Sequence, residues 1–351
     1  MIALINCGGS GSRLWPLSTP EYPKHLLKVS HNPGDGTLLQ ETFKRVDGFV
    51  DDAYFITEAG HAEEVKKQLG DEVDDDHIII EPARRGTASC LLIALDHVRE
   101  RHGEEVPLIF MHADHVIHDT EGFQETIAHA ANASLEFNAI TLLGLEPTFP
   151  TTGFGYIEQG MRMSEEHEKD VHEVAMFKEK PDRQTAEKYV REGKFLWNMG
   201  YFAAPLKTFV ETMQKDSPTL FEQYQRLAAA EDKIAAYLEF EDDAIDYALM
   251  EPASNLHVVP GNFDWIDVGN FQDLHSISHQ DANHNAVSGQ DIELAEVTNS
   301  YIRNDTNSRV GVVGLDNVAV VVTENGILVT NRNFAHKVGD VSKKFNGKDK
   351  K

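Results

Sequence analysis

The chain has 351 residues, more than a single domain usually contains, which predicts one large domain and a smaller one. Its 32 basic and 58 acidic residues leave a formal net charge of −26, which argues against a broad cationic face for nucleic acid. No apolar run approaches the roughly 20 residues of a membrane span, and two cysteines make no disulfide framework. We therefore expect a cytoplasmic protein with no nucleic-acid or membrane partner.

The first 27 residues place a glycine-rich turn directly after a short apolar strand. Residues 1–5 are apolar, and residues 7–13 read CGGSGSR. Glycines let a ligand approach the backbone, and their successive N–H groups can point at an anion. Arg13 and Lys24 add two positive charges to the same segment. The pattern predicts a phosphate cradle. The alternative is a glycine-rich turn that binds nothing, because such a turn can also contain a lone Gly-x-Gly.

Short apolar runs then alternate with helical periodicities. Predicted strands cover residues 53–56, 77–80, 107–111 and 139–143, and predicted helices cover residues 38–46, 58–69, 90–98 and 123–135. This alternation predicts an α/β fold with a Rossmann-like, doubly wound, mixed but mostly parallel sheet. Because such sheets bind ligands at the carboxyl ends of their strands, the glycine turn, Glu81 and Asp114 are expected at one edge.

The second half of the chain is less regular and ends in a β-rich segment. Strands are predicted at residues 152–157, 174–177 and 256–259, and helices at 182–193 and 209–237. Later β-prone runs cover residues 310–313, 318–322 and 327–330. We predict a main domain over residues 1–280, a small all-β, β-helix-like C-terminal domain over 285–340 and a disordered basic tail over 341–351. The exposed edges of the β domain favour a homodimer.

The glycine turn differs from the two commonest phosphate-binding motifs. No Gly-Lys-Ser/Thr closes it, which excludes a Walker A loop. Leu14 stands where the dinucleotide fingerprint has its third glycine. What remains is a glycine-rich backbone, the fork of Arg13 and the point charge of Lys24, all suited to phosphate oxygens.

The segment GGSGSRLWPLS at residues 8–18, with YPK at 22–24, resembles the opening motif of the sugar-1-phosphate nucleotidylyltransferases. Its WPLS version is most similar to the mannose-1-phosphate guanylyltransferases. Further motifs match in order: EPxxRxTA at 81–88, ADH at 113–115, GxGYI at 153–157, FxEKP at 177–181, WNxG at 197–200, IDYA at 245–248 and WxDVG at 265–269. The resemblance therefore covers residues 1 to about 275, and it covers the β-rich segment more weakly.

The resemblance implies transfer of GMP from GTP to α-D-mannose 1-phosphate, giving GDP-mannose and pyrophosphate by in-line displacement with Mg²⁺. It assigns Asp114 and Asp267 as metal ligands and Arg13 and Lys24 as catalytic cations. The residues expected on the nucleotide are Gly8, Gly9, Ser10, Gly11, Ser12, Arg13, Glu81 and Thr87. Those expected on the sugar phosphate are Gly155, Glu179, Lys180 and Asn198.

Four residues depart from the family pattern and leave the choice of base and sugar open: Thr19, His25, Gly86 and Pro252. Another hexose- or heptose-1-phosphate, or another nucleotide, is therefore an alternative. A GT-A glycosyltransferase would share the sheet and a metal carboxylate but would lack the opening loop. A non-catalytic nucleotide-sugar sensor could have lost any of the four charged residues of the site, all of which this chain retains.

Overall fold

The computed structural model describes residues 1–9, 11–29, 35–163 and 170–346. The strands of the main sheet and of its site-bearing ladder are β1 Ile2–Cys7, β2 Asp52–Glu58, β3 Ile78–Glu81, β4 Pro107–His112, β5 His115–Val116, β6 Ile140–Leu145, β7 Gly155–Arg162, β8 His172–Lys178, β9 Phe195–Pro205, β10 Leu256–Pro260 and β11 Ile266–Asp267. The C-terminal strands are β12 Ala286–Gly289, β13 Ile292–Ala295, β14 Tyr301–Asn304, β15 Val310–Val313, β16 Val318–Thr323 and β17 Gly326–Asn331.

The α-helices are α1 Leu38–Val46, α2 Ala62–Leu69, α3 Gly86–His102, α4 Thr120–Phe137, α5 Arg183–Glu192, α6 Leu206–Asp216, α7 Pro218–Ala229, α8 Lys233–Leu238, α9 Phe271–Ile277 and α10 Val338–Asn346. Short 3-10 turns occupy Ser12–Leu14, Lys24–Leu26, Gly70–Glu72, Asp75–His77 and Arg332–Lys337, and a π-helix spans Asp246–Met250. Helix α2 begins four residues later than predicted, because β2 continues through Glu58. No helix in the described ranges is long and apolar enough to cross a membrane.

In the described part of the chain, nine strands form one mixed sheet in the order β3-β2-β1-β4-β9-β6-β10-β8-β7. Strands β1 to β4 run parallel to one another, as do β6 and β10. Strands β8 and β9 run against the common direction, and β7 returns to it. The predicted α/β class with a mixed, mostly parallel sheet is confirmed.

Alternate residues of β1 enter two separate cores, one on each face of the sheet. Leu4 packs in the core that contains Leu91 of α3, and Ile5 packs in the core that contains Ile127 of α4. A strand covered by helices on both faces is apolar at every position, which is why residues 2–5 read as one continuous run. Each such fully buried aliphatic side chain contributes about 1.5–3 kcal/mol to stability.

Strand β9 lies at the centre of the sheet between β4 and β6 and was not predicted as a strand. Its 11 residues are buried at every position except Gly200. A strand buried on both faces lacks polar alternation, so periodicity gives no signal for it. The WNxG motif within β9 therefore carries information about the site but none about its secondary structure.

The C-terminal strands stack in parallel: Ala286 of β12 lies beside Tyr301 of β14, which lies beside Ala319 of β16. Strands β13 and β15 form a second parallel pair, and β17 adds to β16 in the antiparallel sense. Residues 338–346 form helix α10, so the prediction of a disordered tail was wrong as far as Asn346; residues 347–351 lie outside the described residues. Helix α10 is ordered by packing of Val338 in an apolar cluster, which the polar local sequence does not reveal.

Candidate active site

Strand β1 delivers the glycine loop to the carboxyl edge of the sheet. Gly9 and Gly11 have φ angles of 89° and 57°, in the left-handed region that favours glycine. A Cβ atom on Gly11 would lie 2.7 Å from the Cβ of Lys24. Glycine therefore lets the loop cross directly over Lys24. The predicted residues Gly8, Gly9, Gly11 and Ser12 lie on this loop, and Ser10 lies outside the described residues.

Arg13 is exposed on the same loop, and it makes no ion pair with any residue in the described ranges. A Cβ atom on Gly269 would lie 3.2 Å from its Nη2 atom, so the guanidinium reaches over the segment that carries Asp267. A guanidinium without a protein partner keeps its donors available for phosphate oxygens.

Lys24 is 5% exposed, and its ammonium group lies between the two predicted metal ligands. Its Nζ is 3.0 Å from Oδ2 of Asp114 and 2.5 Å from Oδ1 of Asp267. The sequence motifs predicted all three residues but did not predict that they contact one another. One lysine therefore connects the residues predicted to bind phosphate with those predicted to bind a metal.

Asp114 and Asp267 are 153 residues apart in the sequence, but Asp114 directly precedes β5 and Asp267 lies on its partner strand β11. Strands β5 and β11 pair in the antiparallel sense, with Asp267 opposite His115. The buried guanidinium of Arg45 donates from Nη2 to the carbonyl of His115 at 3.3 Å, which braces β5 from helix α1. Backbone pairing thus sets the spacing of the two carboxylates.

At Lys24, Asp114 and Asp267, charge attraction has a larger effect on the pKa values than burial has. Burial opposes ionisation of Asp114 and Asp267, but the nearby Lys24 outweighs it and lowers the pKa of both carboxyl groups. Burial also opposes the charge of Lys24, and the two carboxylates outweigh it and raise its pKa. All three groups are charged at neutral pH.

His115 lies beside this cluster as a packing residue. Burial lowers the pKa of His115 to about 4, so its ring is neutral at pH 7. Its Nδ1 lies 2.9 Å from the hydroxyl of Tyr201, and its Nε2 lies 3.7 Å from Oδ1 of Asp114. The neutral ring fills space behind the carboxylate.

The donor set of Asp114 and Asp267 suits a hard divalent cation. Two ionised carboxylates converge on one ammonium, and carboxylate oxygens are the ligands that Mg²⁺ prefers, so Asp114 and Asp267 would hold such a cation. Among the described residues, no group of three or more His, Cys, Asp and Glu side chains is arranged to hold a metal. The remaining ligands would then be phosphate oxygens and water, which is a common mode of Mg²⁺ binding.

A cavity of about 210 Å³ opens beside the glycine loop at the ends of β2 and β3. Glu81 lines it, is 6% exposed and accepts a hydrogen bond from the hydroxyl of Tyr237 at 2.6 Å. Burial, opposed by this hydrogen bond and reinforced by Glu58, raises the pKa of Glu81 to about 7. Thr87 also lines the cavity, but its hydroxyl already accepts a hydrogen bond from the backbone N–H of Ile245 at 2.9 Å.

Gly86, one of the four departures from the family pattern, is explained by a close backbone contact. Its φ is 75°, and a Cβ atom there would lie 2.1 Å from the carbonyl oxygen of Asp243. That carbonyl accepts a hydrogen bond from the N–H of Ala88 in the first turn of α3 at 3.2 Å. Residues 241–245 therefore occupy the space that a side chain at position 86 would need.

The four residues predicted to hold the sugar phosphate lie together at the start of β7, the end of β8 and within β9. Lys180 Nζ lies 2.6 Å from Oε1 of Glu179, and a Cβ atom on Gly155 would lie 2.4 Å from Oε2 of Glu179. Asn198 faces Gly155 across the β7–β9 pair. Oε2 of Glu179 is buried and has no hydrogen-bond partner within the described residues. This oxygen is therefore open to a hydrogen bond from a ligand or from water.

Asp246 belongs to this cluster but was not predicted as a site residue. Its Oδ1 accepts a hydrogen bond from Nδ2 of Asn198 at 2.8 Å, at the first residue of the π-helix. Burial and the neighbouring Glu179 raise the pKa of Asp246 to about 6. The IDYA motif was the available signal, and π-helices occur frequently at functional sites.

The two halves of the site meet at His112. Gly8, Gly9, Glu81, His112 and Asp114 line the same cavity. On the other side, a Cβ atom on Gly200 would lie 2.8 Å from Nε2 of His112. Gly200 lies two residues after Asn198, and so the sugar-side cluster borders the cavity that contains the glycine loop.

The sequence profile of the nucleotidyl transferase family matches residues 2–284. A mannose-1-phosphate guanylyltransferase of Klebsiella pneumoniae is 33% identical over 342 residues, covering 95% of this chain and 71% of the relative. A mannose-1-phosphate guanylyltransferase of Escherichia coli strain K12 is 33% identical over 349 residues, covering 96% of this chain and 72% of the relative.

Two solved structures extend the comparison to three dimensions. A crystal structure of mannose-1-phosphate geranyltransferase from Thermus thermophilus has a TM-score of 0.86 and 30% identity, covering 98% of this chain and 99% of its own. A mannose-6-phosphate isomerase from Helicobacter pylori has a TM-score of 0.62 and 23% identity, covering 76% of this chain and 99% of its own. The second similarity concerns the fold alone, and the first includes the C-terminal strands.

Proposed function

The chain belongs to the nucleotidyl transferase family, and from that premise we propose that it transfers GMP from GTP to α-D-mannose 1-phosphate, forming GDP-mannose and releasing pyrophosphate. One observation carries this proposal: Lys24, Asp114 and Asp267 converge directly beneath a glycine loop. Both reactants are anions, so transfer between them needs cations held in a fixed geometry.

The glycine loop and Arg13 hold the triphosphate. Backbone N–H groups of the loop around Gly9 and Gly11 donate hydrogen bonds to phosphate oxygens. Arg13 binds the β- and γ-phosphates, which leave as pyrophosphate.

The sugar-phosphate oxygen attacks the α-phosphorus; the new P–O bond forms as the bond to the bridging oxygen of pyrophosphate breaks. No general base is needed, because the phosphate oxygen is already ionised at neutral pH. Lys24 stabilises the negative charge that shifts between the two phosphates. Asp114 and Asp267 hold a divalent cation, Mg²⁺, which neutralises phosphate charge when bound.

The base and the sugar are each recognised by a carboxylate, and the two carboxylates lie on opposite sides of the Lys24–Asp114–Asp267 cluster. Glu81 accepts hydrogen bonds from the two donor groups on the Watson–Crick edge of guanine, in the cavity beside the glycine loop. Glu179 accepts a hydrogen bond from a mannose hydroxyl through its unpaired Oε2, and Asn198 contacts another hydroxyl. Lys180 meets the sugar phosphate.

We also place the reaction in the cytoplasm. Cys7 and Cys90 are both free and buried, which is the usual state of thiols in a reducing compartment. The homodimer predicted from the sequence remains a prediction.

The test is pyrophosphate release across a matrix of four nucleoside triphosphates and a panel of sugar 1-phosphates. We expect release above background for GTP with mannose 1-phosphate and the highest kcat/KM for that pair. A higher kcat/KM for another pair would replace the proposed base or sugar. Absence of release with every pair would favour a nucleotide-sugar sensor.

The metal role has its own test. Asp267→Asn removes one charge from the predicted ligand pair and is expected to lower turnover at least about a hundredfold at ordinary Mg²⁺. Binding of Mn²⁺, followed by electron paramagnetic resonance in the presence of GTP, should weaken in parallel. Asp232→Asn, at the exposed N-terminus of α8, is the matched control. Near-normal turnover and Mn²⁺ binding by Asp267→Asn would remove Asp267 from the metal site.

A further inference from the structure

The C-terminal helix α10 lies against the glycine loop, far from it in sequence. The rings of Trp15 and Phe345 have centroids 5.0 Å apart. A Cβ atom on Gly326, at the start of β17, would lie 2.7 Å from Cζ2 of Trp15. The indole of Trp15 is therefore enclosed between the last strand and the last helix of the described chain.

The first turn of α10 approaches the two loop residues that face the triphosphate. A Cβ atom on Gly339 would lie 3.2 Å from Cγ of Arg13 and 3.3 Å from Oγ of Ser12. These distances are tighter than most real Cβ contacts, so any larger residue at position 339 must push Ser12 and Arg13 aside.

Strand β16 and the turn after it hold Pro16, which lies three residues after Arg13. The hydroxyl of Thr323 donates to the carbonyl of Pro16 at 3.2 Å, and Nδ2 of Asn325 donates to the same carbonyl at 3.3 Å. Leu14 and Leu17 pack in one apolar cluster with Leu328 of β17 and Val338 of α10. Polar and apolar contacts thus fix the same short segment.

The loop itself has few means of holding its shape. Its helical turn has three residues, and its internal bonds include Leu14 N–H to the carbonyl of Gly11 at 2.8 Å and Leu17 N–H to the carbonyl of Leu14 at 2.9 Å. A single turn of helix is not stable alone, because fixing its dihedral angles costs more than one hydrogen bond returns. The conformation of residues 11–17 therefore depends on tertiary packing.

We propose that Gly339 and Phe345 are positioning residues for nucleotidyl transfer: they hold Ser12 and Arg13 where the triphosphate binds. The C-terminal segment is then a structural part of the nucleotide site. The effect on nucleotide binding rests on the proposed function, whereas the positioning of the loop by α10 does not.

Hydrogen exchange tests the positioning without any substrate. Phe345→Ala should speed exchange of the N–H groups of Leu14, Trp15 and Leu17 by about tenfold or more, while exchange in β1 stays unchanged. Phe334→Ala is the matched control, because Phe334 is 54% exposed, Phe345 is 45% exposed, and Phe334 faces Lys337.

Kinetics test the consequence for the reaction. In Phe345→Ala the KM for GTP should rise about tenfold, while the KM for mannose 1-phosphate stays within about twofold. Phe345→Leu should restore most of the affinity for GTP, because it refills the space beside Trp15. A merely destabilising change would not separate the two KM values.

Gly339→Ala distinguishes positioning from helix stability. Alanine favours helix over glycine, so a glycine with no role at the loop would tolerate the change or stabilise α10. We expect a higher KM for GTP in Gly339→Ala and a larger increase in Gly339→Val.

Equal loop exchange in Phe345→Ala, Phe334→Ala and the parent protein would overturn the proposal. Faster loop exchange with an unchanged KM for GTP would also overturn it, because the loop position would then not matter for the nucleotide. Failure of the parent protein to turn over any substrate pair would contradict the proposed function alone, and the exchange experiment would still decide whether Phe345 holds the loop.

Discussion

The ammonium group of Lys24 is the charge on which the candidate site converges. It is buried, and it contacts Asp114, which directly precedes β5, and Asp267 of β11. A buried charge is tolerated only with partners, and each partner removed leaves the others uncompensated. Lys24 therefore holds Asp114 and Asp267 ionised and close together, in addition to its proposed role on phosphate.

Lys24→Ala should lower kcat by at least about a hundredfold, because it removes a positive charge next to the transferred phosphate. The measurement is steady-state pyrophosphate release under saturating GTP and mannose 1-phosphate. Lys28→Ala removes an exposed lysine four residues later and should leave kcat within about twofold. A tenfold or smaller effect of Lys24→Ala would limit Lys24 to binding.

The pKa of Glu81, raised to about 7, predicts a pH dependence of nucleotide binding. The proposed contact with two donors of guanine requires Glu81 to be a carboxylate, and its ionised fraction rises about tenfold between pH 6 and pH 8. The KM for GTP should therefore fall by up to about tenfold over that range.

Glu81→Gln supplies the control for this pH dependence. Its KM for GTP should be high at both pH values, because the amide cannot ionise and offers one acceptor oxygen instead of two. Any change in the KM for GTP with pH that persists in Glu81→Gln is due to ionisation of the phosphates. A parent protein and variant with parallel pH profiles would contradict the proposed contact between Glu81 and the base.

Among the elements, the loop at residues 241–245 supports two ends of the proposed nucleotide cavity, at Gly86 and at Thr87. It places the carbonyl of Asp243 at the first turn of α3 and the N–H of Ile245 on the hydroxyl of Thr87. Helix α8 just before it carries Tyr237, whose hydroxyl holds Glu81. Residues that line the cavity are thus held by a distant segment that does not line it, since Tyr237 and Glu81 are separated by 156 residues.

Gly86→Ala and Gly103→Ala form a matched pair that tests this contact. Both glycines have a φ of 75°, but a Cβ at position 103 meets nothing within 4 Å, whereas one at position 86 meets the carbonyl of Asp243 at 2.1 Å. Gly103→Ala should cost about 1–3 kcal/mol of unfolding free energy from backbone strain alone, because its φ of 75° and ψ of −161° suit glycine.

Gly86→Ala should cost about 2 kcal/mol more than Gly103→Ala, because the loop at residues 241–245 must also move away from α3. Chemical denaturation of the two variants measures the difference. Equal losses would mean that the contact with Asp243 relaxes without cost.

At the scale of the whole molecule, the charge balance is the dominant feature. A net charge of −26 on 351 residues destabilises the compact state through self-repulsion. Salt screens exposed charges beyond a Debye length of about 10 Å at 0.1 M, and it acts less on the buried cluster around Lys24.

The midpoint of thermal unfolding should therefore rise by several degrees, about 3–6 °C, between 0.01 and 0.3 M KCl. Differential scanning calorimetry without nucleotide or divalent metal measures this shift, and an equal concentration of a neutral osmolyte serves as the control for changes in water activity. A midpoint that falls with KCl would show that attractive ion pairs outweigh the repulsion.

Much of the fold was predictable, because local patterns and tertiary demands agree there. Helix α1 was predicted with its observed bounds, since its apolar spacing and a threonine N-cap point the same way. Strand β9 was missed because burial on both faces removes the alternation on which strand prediction depends. Helix α10 was missed because Val338 and Phe345 bury apolar surface against residues 14–17, which lie at the other end of the chain.

The sequence by itself determined the chemistry of this protein: the order and spacing of its motifs, two candidate metal carboxylates, and two cations near a glycine-rich turn. Only the tertiary structure decided how these groups act on one another. It placed Lys24 between Asp114 and Asp267, added Asp246 to the sugar-side cluster and set α10 against the glycine loop. The physical reason is that residue identity is local, whereas distance, burial and charge pairing depend on strands and helices that meet only in the folded chain.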